Sequence, residues 1–287
     1  MKIKKLISAL VLGSMLVGLS GCNITDFSAE NLLRPPKAVG DEAEIEQLIA
    51  KTADSGYTLK YPKNGKFRSA IIMTDLDGND SNEAVAFFRN SAETSSVHML
   101  VMYSKDKSWK IASDNIFETT DIDSVDFADI NGNGRAEIIV NSTTYTPNVG
   151  KLSCYSYSEG KTNEVGSGQS CSSFVTGDFD NDGTSEIMSL VLYTTENEAL
   201  ASMLDYNEDS KSLYAKAMAN MDPNVVKYKN IAVTKLDNDI TGIVVDGTSA
   251  NEVTNTQVIF YSRDLAILRN PLFKEKAKNI TRRSSQV

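Results

Sequence analysis

The chain has few of the side chains that bind transition metals. Its 287 residues include one histidine, His98, and three cysteines, Cys22, Cys154 and Cys171, which are not clustered. Zinc sites require several cysteine or histidine ligands close together, so the sequence argues against a zinc centre.

A Ser-His-Asp catalytic set would also need His98. Because this histidine lies in the strand-like segment 97–101, we expect it to be a structural side chain.

Positive charge is also scarce. The chain has 29 lysine and arginine residues against 38 aspartate and glutamate residues. Three of the lysines precede residue 22, so a chain without residues 1–21 would have 26 basic against 38 acidic side chains and a net charge of −12. This balance argues against nucleic acid or anionic lipid headgroups as partners. It suits the binding of cations instead.

A long apolar run is absent at the amino terminus, where the segment 6–19 is too short for a comfortable transmembrane helix. It follows Lys2, Lys4 and Lys5 and precedes Leu19-Ser20-Gly21-Cys22, an order typical of a secretory signal. The last four residues resemble the bacterial lipobox. An ordinary signal peptide with an incidental cysteine is the alternative.

The lipobox implies that residues 1–21 are a lipoprotein signal peptide and that Cys22 carries acyl chains such as palmitate. The protein would then lie outside the cytoplasm, anchored to the bacterial cell membrane by this lipid. Residues 22–40 lack periodicity and include Arg34-Pro35-Pro36-Lys37, so they are interpreted as a tether. Residues 41–55 are predicted to form a short amphipathic helix with Ile45, Leu48 and Ile49 on one face.

Three acidic loops with the pattern D-x-D-x-D-G-x-x-E recur along the chain. The first is 75–83, the second 129–137 and the third 178–186, and their first aspartates are 54 and 49 residues apart. This period is typical of repeat architectures. Oxygen ligands at alternate positions are what calcium requires. The candidate ligands are Asp75, Asp77, Asn79, Ser81, Glu83, Asp129, Asn131, Asn133, Arg135, Glu137, Asp178, Asp180, Asp182, Thr184 and Glu186.

In these loops, side-chain oxygens at positions one, three, five and nine and a backbone carbonyl at position seven would bind two to three structural calcium ions. An EF-hand would instead have an acid at position twelve on a helix, but strand-forming residues follow each loop here. The third loop has four acids and should bind most tightly, whereas the second has two and should bind weakly. Position six needs a positive φ, which Gly134 and Gly183 adopt freely and Asp80 adopts less freely.

Strand-forming segments surround each loop. Each of three units has four candidate strands, with the acidic loop always joining the first to the second: 68–74, 83–88, 97–103 and 109–115; 124–128, 136–145, 150–157 and 162–166; 173–177, 185–193, 199–206 and 213–218. Four strands per repeat of this length is typical of a β-propeller blade. The predicted fold is therefore all-β, a propeller of about four to five four-stranded antiparallel blades over residues 56–287, after the short helix.

A fourth unit is degenerate. Lys235 and Ile243 stand where the first aspartate and the glutamate should be, and we hypothesise that the Lys235 ammonium replaces the calcium charge.

For the last residues of the chain, two interpretations stay open. Residues 282–287 resemble a first strand that stops before its loop, as in a truncated propeller, or residues 274–287 are a disordered basic tail.

Two further interpretations concern Cys154 and Cys171, which are predicted to lie in strand-like segments on either side of a Gly/Ser-rich turn. They form a disulfide, which an exported location permits, or they are two separate buried thiols.

The acidic loops resemble those of the FG-GAP and VCBS repeat families, which also form integrin α-subunit propellers, over roughly residues 57–287. The lipobox and the segment 32–37 resemble those of bacterial VCBS-repeat lipoproteins. The departures are Asp80, the degenerate fourth loop and too few repeats for a seven-bladed ring. The resemblance implies a cell-surface binding or scaffold protein that is not an enzyme, with a protein or polysaccharide ligand. The alternatives are an extracytoplasmic carbohydrate-active lyase or hydrolase, and an accessory role near the cell wall or spore surface.

Overall fold

A computed structural model describes residues 40–271, except 55, 94, 147 and 194–195. The predicted signal peptide, Cys22, the tether before Gly40 and the tail 274–287 lie outside the described residues. The chain divides into two units, the first ending at Ala43 and the second beginning at Glu44. Of the first unit only residues 40–43 are described, and all other described residues belong to the second.

One α-helix, α1, spans Asp41–Ala53 within the described residues. The helix has a basic residue, Lys51, in its last turn, where it complements the helix dipole. Ile45 and Ile49 are fully buried and Leu48 is half-buried, as the apolar pattern predicts. No helix of the described part of the chain is long and apolar enough to cross a membrane.

Seventeen strands of the described chain form four antiparallel sheets, in which neighbouring strands follow each other in sequence except that β1 pairs with β3. Sheet 1 contains β1 (Tyr57–Leu59), β2 (Ile71–Thr74), β3 (Glu83–Asn90), β4 (Val97–Lys105) and β5 (Ser108–Phe117). Sheet 2 contains β6 (Ile122–Ala128), β7 (Glu137–Thr143), β8 (Gly150–Ser158) and β9 (Lys161–Cys171).

Sheet 3 contains β10 (Ser173–Gly177), β11 (Glu186–Tyr193), β12 (Glu198–Asn207) and β13 (Ser212–Asn220). Sheet 4 contains β14 (Val225–Asp237), β15 (Ile240–Ser249), β16 (Thr254–Ser262) and β17 (Ile267–Arg269), with a 3-10 turn at Arg263–Leu265 before the last strand. The predicted all-β class and the four strands per unit are confirmed, and sheet 1 has β1 as an additional fifth strand.

Successive sheets pack face to face, and an apolar core lies between each pair. Along β7, Ile138 and Val140 belong to the core shared with sheet 1, whereas Ile139 belongs to the core shared with sheet 3. A third core lies between sheets 3 and 4. Strands β3, β7 and β11, which follow the acidic loops, are buried on both faces, and this explains their continuous apolar sequences.

The outer face of sheet 1 packs against α1. Ile45, Ile49 and Ala53 contact Ala84, Ala86, Phe88, Leu100, Met102 and Trp109 in one buried cluster. The backbone N–H of Trp109 also donates a hydrogen bond to the Glu44 carboxylate at 3.2 Å. The helix therefore covers the apolar face of sheet 1 that no other sheet covers in the described part of the chain.

Strand β2, predicted as the first strand of its unit, is shorter than expected, because it begins at Ile71 and not at residue 68. The preceding segment instead follows the edge of sheet 2, because the N–H groups of Lys63 and Asn64 donate to the carbonyls of Ile122 and Asp123. The edge of β3 is consequently shared between β2 and the short strand β1, which the sequence did not predict.

The fourth unit also departs from the prediction. β14 and β15 form a hairpin in which Asp237 pairs with Ile240, so a tight turn replaces the expected acidic loop. Lys235 is paired with Thr241 within the sheet, and its side chain is exposed. The hypothesis that its ammonium replaces a calcium ion is therefore wrong, because this unit has no ring of oxygen ligands for it to neutralise.

Candidate metal sites in the acidic loops

The three acidic loops lie at equivalent corners of sheets 1, 2 and 3. Each joins the first full strand to the doubly buried second strand, and adjacent loops contact each other through their backbones. The N–H of Ala136 donates to the carbonyl of Leu76 at 3.1 Å, and the N–H of Ser185 donates to that of Asp129 at 3.0 Å. The predicted equivalence of the loops is therefore a property of the fold.

The first aspartate organises each loop by accepting backbone N–H groups from positions five and six. Asp178 accepts from Asp182 and Gly183, both at 3.1 Å. Asp129 accepts from Asn133 at 3.1 Å and Gly134 at 2.7 Å. The first loop repeats this arrangement with Asp75, Asn79 and Asp80. The hydrogen bonds curl the chain so that the side chains of one loop converge.

Two positions of each loop have positive φ. Asp80, Gly134 and Gly183 at position six have φ values of 64°, 80° and 94°, as predicted. Position four also has positive φ, at Gly78, Gly132 and Asn181. Sequence reasoning missed this second requirement, although glycine or asparagine at position four in all three loops was a visible signal.

Position two anchors each loop in the apolar core. Leu76, Ile130 and Phe179 are 0%, 2% and 3% exposed. Their backbone N–H groups donate to the glutamate at position nine, with distances of 2.9 Å to Glu83, 3.1 Å to Glu137 and 2.8 Å to Glu186. The sequence analysis overlooked this apolar position, whose signal was a large aliphatic or aromatic residue after each first aspartate.

The three glutamates are buried, and burial changes their ionisation. Burial raises the pKa of Glu83 and that of Glu137 to about 7. For Glu186, burial together with the nearby Asp180 and Asp182 carboxylates raises the pKa to about 8. A buried carboxylate surrounded by other acids is costly to ionise unless a cation is present.

Two of the loops bring three or more carboxylates together. Ligand oxygens of Asp178, Asp180, Asp182 and Glu186 all lie within 4.8 Å of one another, as do those of Asp75, Asp77 and Glu83. Both groups can hold a metal ion. Because the donors are exclusively carboxylate oxygens, the chemistry suits a hard divalent cation.

The same two loops contain orphaned oxygen atoms, meaning buried side-chain oxygens without a hydrogen-bond partner. Glu186 is fully buried, and its Oε1 has no hydrogen-bond partner, although its Oε2 accepts the Phe179 N–H. In the first loop, Oδ1 of Asp77 is likewise buried without a partner. A buried acceptor without a partner costs about 1–3 kcal/mol or more when charged, and a cation in the loop would remove that cost.

The second loop satisfies its glutamate internally. The side-chain amide of Asn131 donates to Oε1 of Glu137 at 2.7 Å, and the Ile130 N–H donates to Oε2. Arg135 directs its guanidinium away from the loop and donates to the Ser158 hydroxyl at 2.9 Å. The second loop therefore has two acids, and both oxygens of its buried glutamate already accept hydrogen bonds.

The residues at position seven, Ser81, Arg135 and Thr184, donate their backbone N–H groups to the side-chain oxygen at position five. These N–H groups help to shape the loops, and the backbone carbonyls of the three residues stay predicted calcium ligands. A residue outside the loops also contributes, because the Lys216 ammonium contacts Asp180 and lies 2.7 Å from Asp205. Lys216 fixes Asp180 to strands β12 and β13, and it gave no signal in the sequence.

Cys154 and Cys171 are free, buried thiols. In the β8–β9 pairing, Cys154 lies opposite Gly166 and Cys171 opposite Gly150, so four residue positions separate them along β8. At about 3.4 Å per residue this exceeds the roughly 7 Å over which a disulfide can form. Of the two interpretations, the structure therefore has separate thiols. Burial raises the pKa of Cys171 to about 12 and keeps it protonated.

The expected turn between these cysteines is also different. The Gly/Ser-rich segment lies inside β9, and the turn is at Glu159 and Gly160. Gly166 has no side chain because a Cβ there would lie 2.8 Å from the Leu213 side chain. The glycine thus permits close packing of sheet 2 on sheet 3.

His98 lies in β4, 6% exposed, and stacks on Phe88 with ring centroids 4.8 Å apart. Its Nδ1 is 2.9 Å from Asp114 Oδ1, and its Nε2 has no hydrogen-bond partner. This arrangement places His98 in the wall of sheet 1 as a structural side chain.

Comparison with protein-family models and with curated proteins finds no match to this chain. The fold and the loop geometry are therefore the basis for a functional assignment.

Proposed function

We propose that the first and third acidic loops bind calcium and that the ions stabilise the turns between the first and second strands of their sheets. The third loop would use Asp178, Asp180, Asp182 and Glu186, and the first Asp75, Asp77 and Glu83 with Asn79. Calcium fits because it accepts several oxygen ligands in flexible geometry, whereas magnesium demands near-ideal octahedral geometry. The role is structural, since equivalent loops recur in the sheets whereas a catalytic centre would occur once.

The single observation that carries this proposal is the orphaned Oε1 of the fully buried Glu186 among three further carboxylates. The second loop supports it by contrast. There the Asn131 amide already donates a hydrogen bond to the corresponding oxygen of Glu137, so we propose two ions and not three.

At the level of the whole protein, we propose a cell-surface lipoprotein of the FG-GAP/VCBS kind that acts as a non-enzymatic binding or scaffold protein. The four sheets stacked in sequence order support a propeller-type arrangement. The lipobox supports anchoring through Cys22, and the acidic charge supports an extracellular ligand other than nucleic acid.

Differential scanning calorimetry tests the metal role. The protein, stripped of metal and then supplied with calcium, should unfold at a higher temperature than in EDTA. Two sites at calcium concentrations 100 times Kd would stabilise it by about 5 kcal/mol, or about 10–20 °C for a chain of this size. An identical transition with and without calcium would contradict the proposal.

Metabolic labelling with a palmitate analogue tests the anchor. The full chain expressed in a bacterial host should incorporate the label and remain with the membrane fraction, whereas a Cys22→Ala variant should do neither. Equal labelling of both chains would contradict lipidation at this cysteine.

A further inference from the structure

The outer face of sheet 4, which points away from sheet 3, is apolar. Ile243, Val245 and Ile259 belong to the core that sheets 3 and 4 share. Because side chains alternate between the two faces of a strand, their neighbours lie on the outer face. These outer residues are Ala232, Val244, Val258 and Phe260. None of the four belongs to a buried cluster of the described residues, so this face has no apolar cover there.

Two exposed side chains enlarge this outer face. A Cβ on Gly242 would lie 2.7 Å from Cδ1 of Leu236 and 3.0 Å from Cβ of Phe260, so the glycine allows Leu236 to lie across β15. Leu236 is nevertheless 39% exposed. Ile267 on β17 is 44% exposed and lies on the same face, since the next residue, Leu268, belongs to the core with sheet 3. A continuous apolar surface of this kind usually marks an interaction site.

The size of the outer face suits a short segment better than a second protein molecule. Its four strands, about 4.8 Å apart and about eight residues long at 3.4 Å per residue, give an area of about 400–500 Å². A stable interface between two proteins buries about 800 Å² on each partner. On sheet 1, the 13 residues of α1 are enough to cover the corresponding face.

The chain leaves sheet 4 at the edge of this same face. Arg269, the last residue of β17, pairs with Phe260, and residues 272–287 follow shortly after it in the sequence. In that segment Phe273, Ala277 and Ile280 have the i, i+4, i+7 spacing of an amphipathic helix. The sequence therefore places an apolar helical pattern next to an apolar sheet face.

Asn270 has the features of a residue that begins a helix. Asparagine is favoured at the N-cap and proline, here Pro271, at the first helical position. The Asn270 Nδ2 donates to the Asn220 carbonyl at 3.2 Å and to Gln257 Oε1 at 2.9 Å. These contacts orient the amide, and its Oδ1 is buried without a hydrogen-bond partner. An N-cap asparagine uses this oxygen to accept the N–H of the second or third helical residue, here residue 272 or 273.

Charge also favours residues 272–287 over a second copy of the chain. Asp246 lies on the outer face of sheet 4, where it accepts the Thr256 hydroxyl at 2.7 Å. Residues 272–287 have five basic side chains and one acidic side chain, so they bring positive charge to this carboxylate. A second copy, with a net charge of −9, would bring negative charge instead.

We infer that residues 271–281 form a helix that docks through Phe273, Ala277 and Ile280 on the outer face of sheet 4. Such a helix is about 16 Å long, which spans the three strand spacings of the sheet, about 14 Å. It covers sheet 4 as α1 covers sheet 1, and removal of apolar surface from water favours the docking. The inference does not depend on the proposed calcium sites.

Hydrogen exchange of the full chain tests the inference. The backbone N–H groups of residues 275–281 should exchange at least about tenfold more slowly than in a synthetic peptide of residues 271–287, because so short a helix is marginal in water without docking. Phe273→Ala removes the largest apolar side chain of the docking face and should bring exchange to within about twofold of the peptide rate. Lys278→Ala, on the opposite side of the helix, is the matched control and should keep the protection.

Variants of the sheets test where the helix docks. Ala232→Lys/Leu236→Lys places two charges on the outer face of sheet 4 and should remove the protection of residues 275–281. The matched control is Ala215→Lys/Ile111→Lys, which alters an exposed alanine of β13 and an isoleucine of β5 that is 40% exposed. The control should keep the protection. All four positions are exposed, so both chains should fold, and slow exchange of β15 in each verifies it.

Three results would overturn the inference. The first is exchange of residues 275–281 as fast as in the peptide. The second is equal protection in the Ala232→Lys/Leu236→Lys chain, since the helix would then dock elsewhere. The third comes from light scattering of the same samples: a dimer that Ala232→Lys/Leu236→Lys separates into monomers would mean that a second copy covers this face.

Discussion

At the scale of single residues, the glutamate at position nine explains how the acidic loops differ. Glu83, Glu137 and Glu186 occupy the same place and accept the same backbone N–H. Their second oxygens distinguish them, because that of Glu137 accepts the Asn131 amide whereas that of Glu186 has no partner. One amide at position three therefore separates a loop whose buried glutamate has hydrogen bonds to both oxygens from one whose buried glutamate has an oxygen without a partner.

The variants Glu186→Gln and Glu137→Gln should consequently differ in how calcium affects their stability. Glu186→Gln removes a metal ligand, so it should lower Tm in calcium but not in EDTA. Glu137→Gln places an amide N–H group against the Asn131 donor, so it should destabilise by about 1–3 kcal/mol in both conditions. Thermal unfolding of both variants with calcium and with EDTA measures this difference, and an equal response to calcium would contradict it.

The pH dependence of the metal-free protein follows from the buried glutamates. In the folded chain, burial raises the pKa of Glu83 to about 7 and that of Glu186 to about 8, above the ordinary value of 4.5. The folded state therefore binds more protons than the unfolded state between these values. Protonation of Glu83 and Glu186 therefore contributes to the free energy of unfolding. This contribution is complete below the pKa of the unfolded chain, 4.5, and is lost as pH rises through about 7 to 8.

Urea unfolding of metal-stripped protein should thus give a lower free energy of unfolding at about pH 8.5 than at about pH 5.5. Calcium should stabilise the protein more at the higher pH, because the ion then meets carboxylates that are already ionised. A calcium effect that is larger at the lower pH would contradict the assignment of these ligands.

At the scale of elements, the strands were largely predictable because each is a continuous or alternating apolar run bounded by an acidic loop or a turn. β10 was predicted with its observed bounds, and the helix α1 with its buried face. The start of β2 was not predictable from local sequence, since the segment before it hydrogen-bonds to sheet 2. The β14–β15 turn was missed because aspartates at 237 and 239 suggested a loop where a hairpin forms.

The candidate metal sites, like the strands, were predictable in part from the sequence. Ligand positions and the positive φ at position six follow from residue types, whereas the Lys216 contact with Asp180 joins residues 36 positions apart and depends on the packing of β13. The Asn131–Glu137 hydrogen bond was also invisible, because asparagine in such a loop serves as readily as a metal ligand.

Hydrogen exchange tests the loops as elements. Calcium should slow exchange of the backbone N–H groups of Asp80 in the first loop and Gly183 in the third, since both donate to a loop aspartate that the ion would hold in place. The equivalent N–H of Gly134 in the second loop should change little. Equal protection of all three loops would show that the second also binds the ion.

At the scale of the whole molecule, stability comes from apolar layers that alternate with sheets. α1 begins this series by covering the outer face of sheet 1, with Ile49 fully buried against it. The variant Ile49→Ala should destabilise by about 2–5 kcal/mol to the same extent in calcium and in EDTA. Gln47→Ala, at an exposed position of the same helix, is the control and should change stability by less than about 0.5 kcal/mol.

Urea unfolding of both helix variants measures this effect. Unchanged stability of Ile49→Ala would mean that the helix does not contribute to the folded core in solution. A loss seen solely in EDTA would instead mean that calcium binding and helix packing are coupled.

The central claim is that acidic loops at matching corners of stacked sheets hold divalent ions where the loop cannot satisfy its own buried glutamate. The most direct measurement is calorimetric titration of the metal-stripped full chain with calcium. Two calcium ions should bind per chain, and Glu186→Gln should reduce this number to one. Absence of binding, or a stoichiometry that Glu186→Gln leaves unchanged, would contradict it.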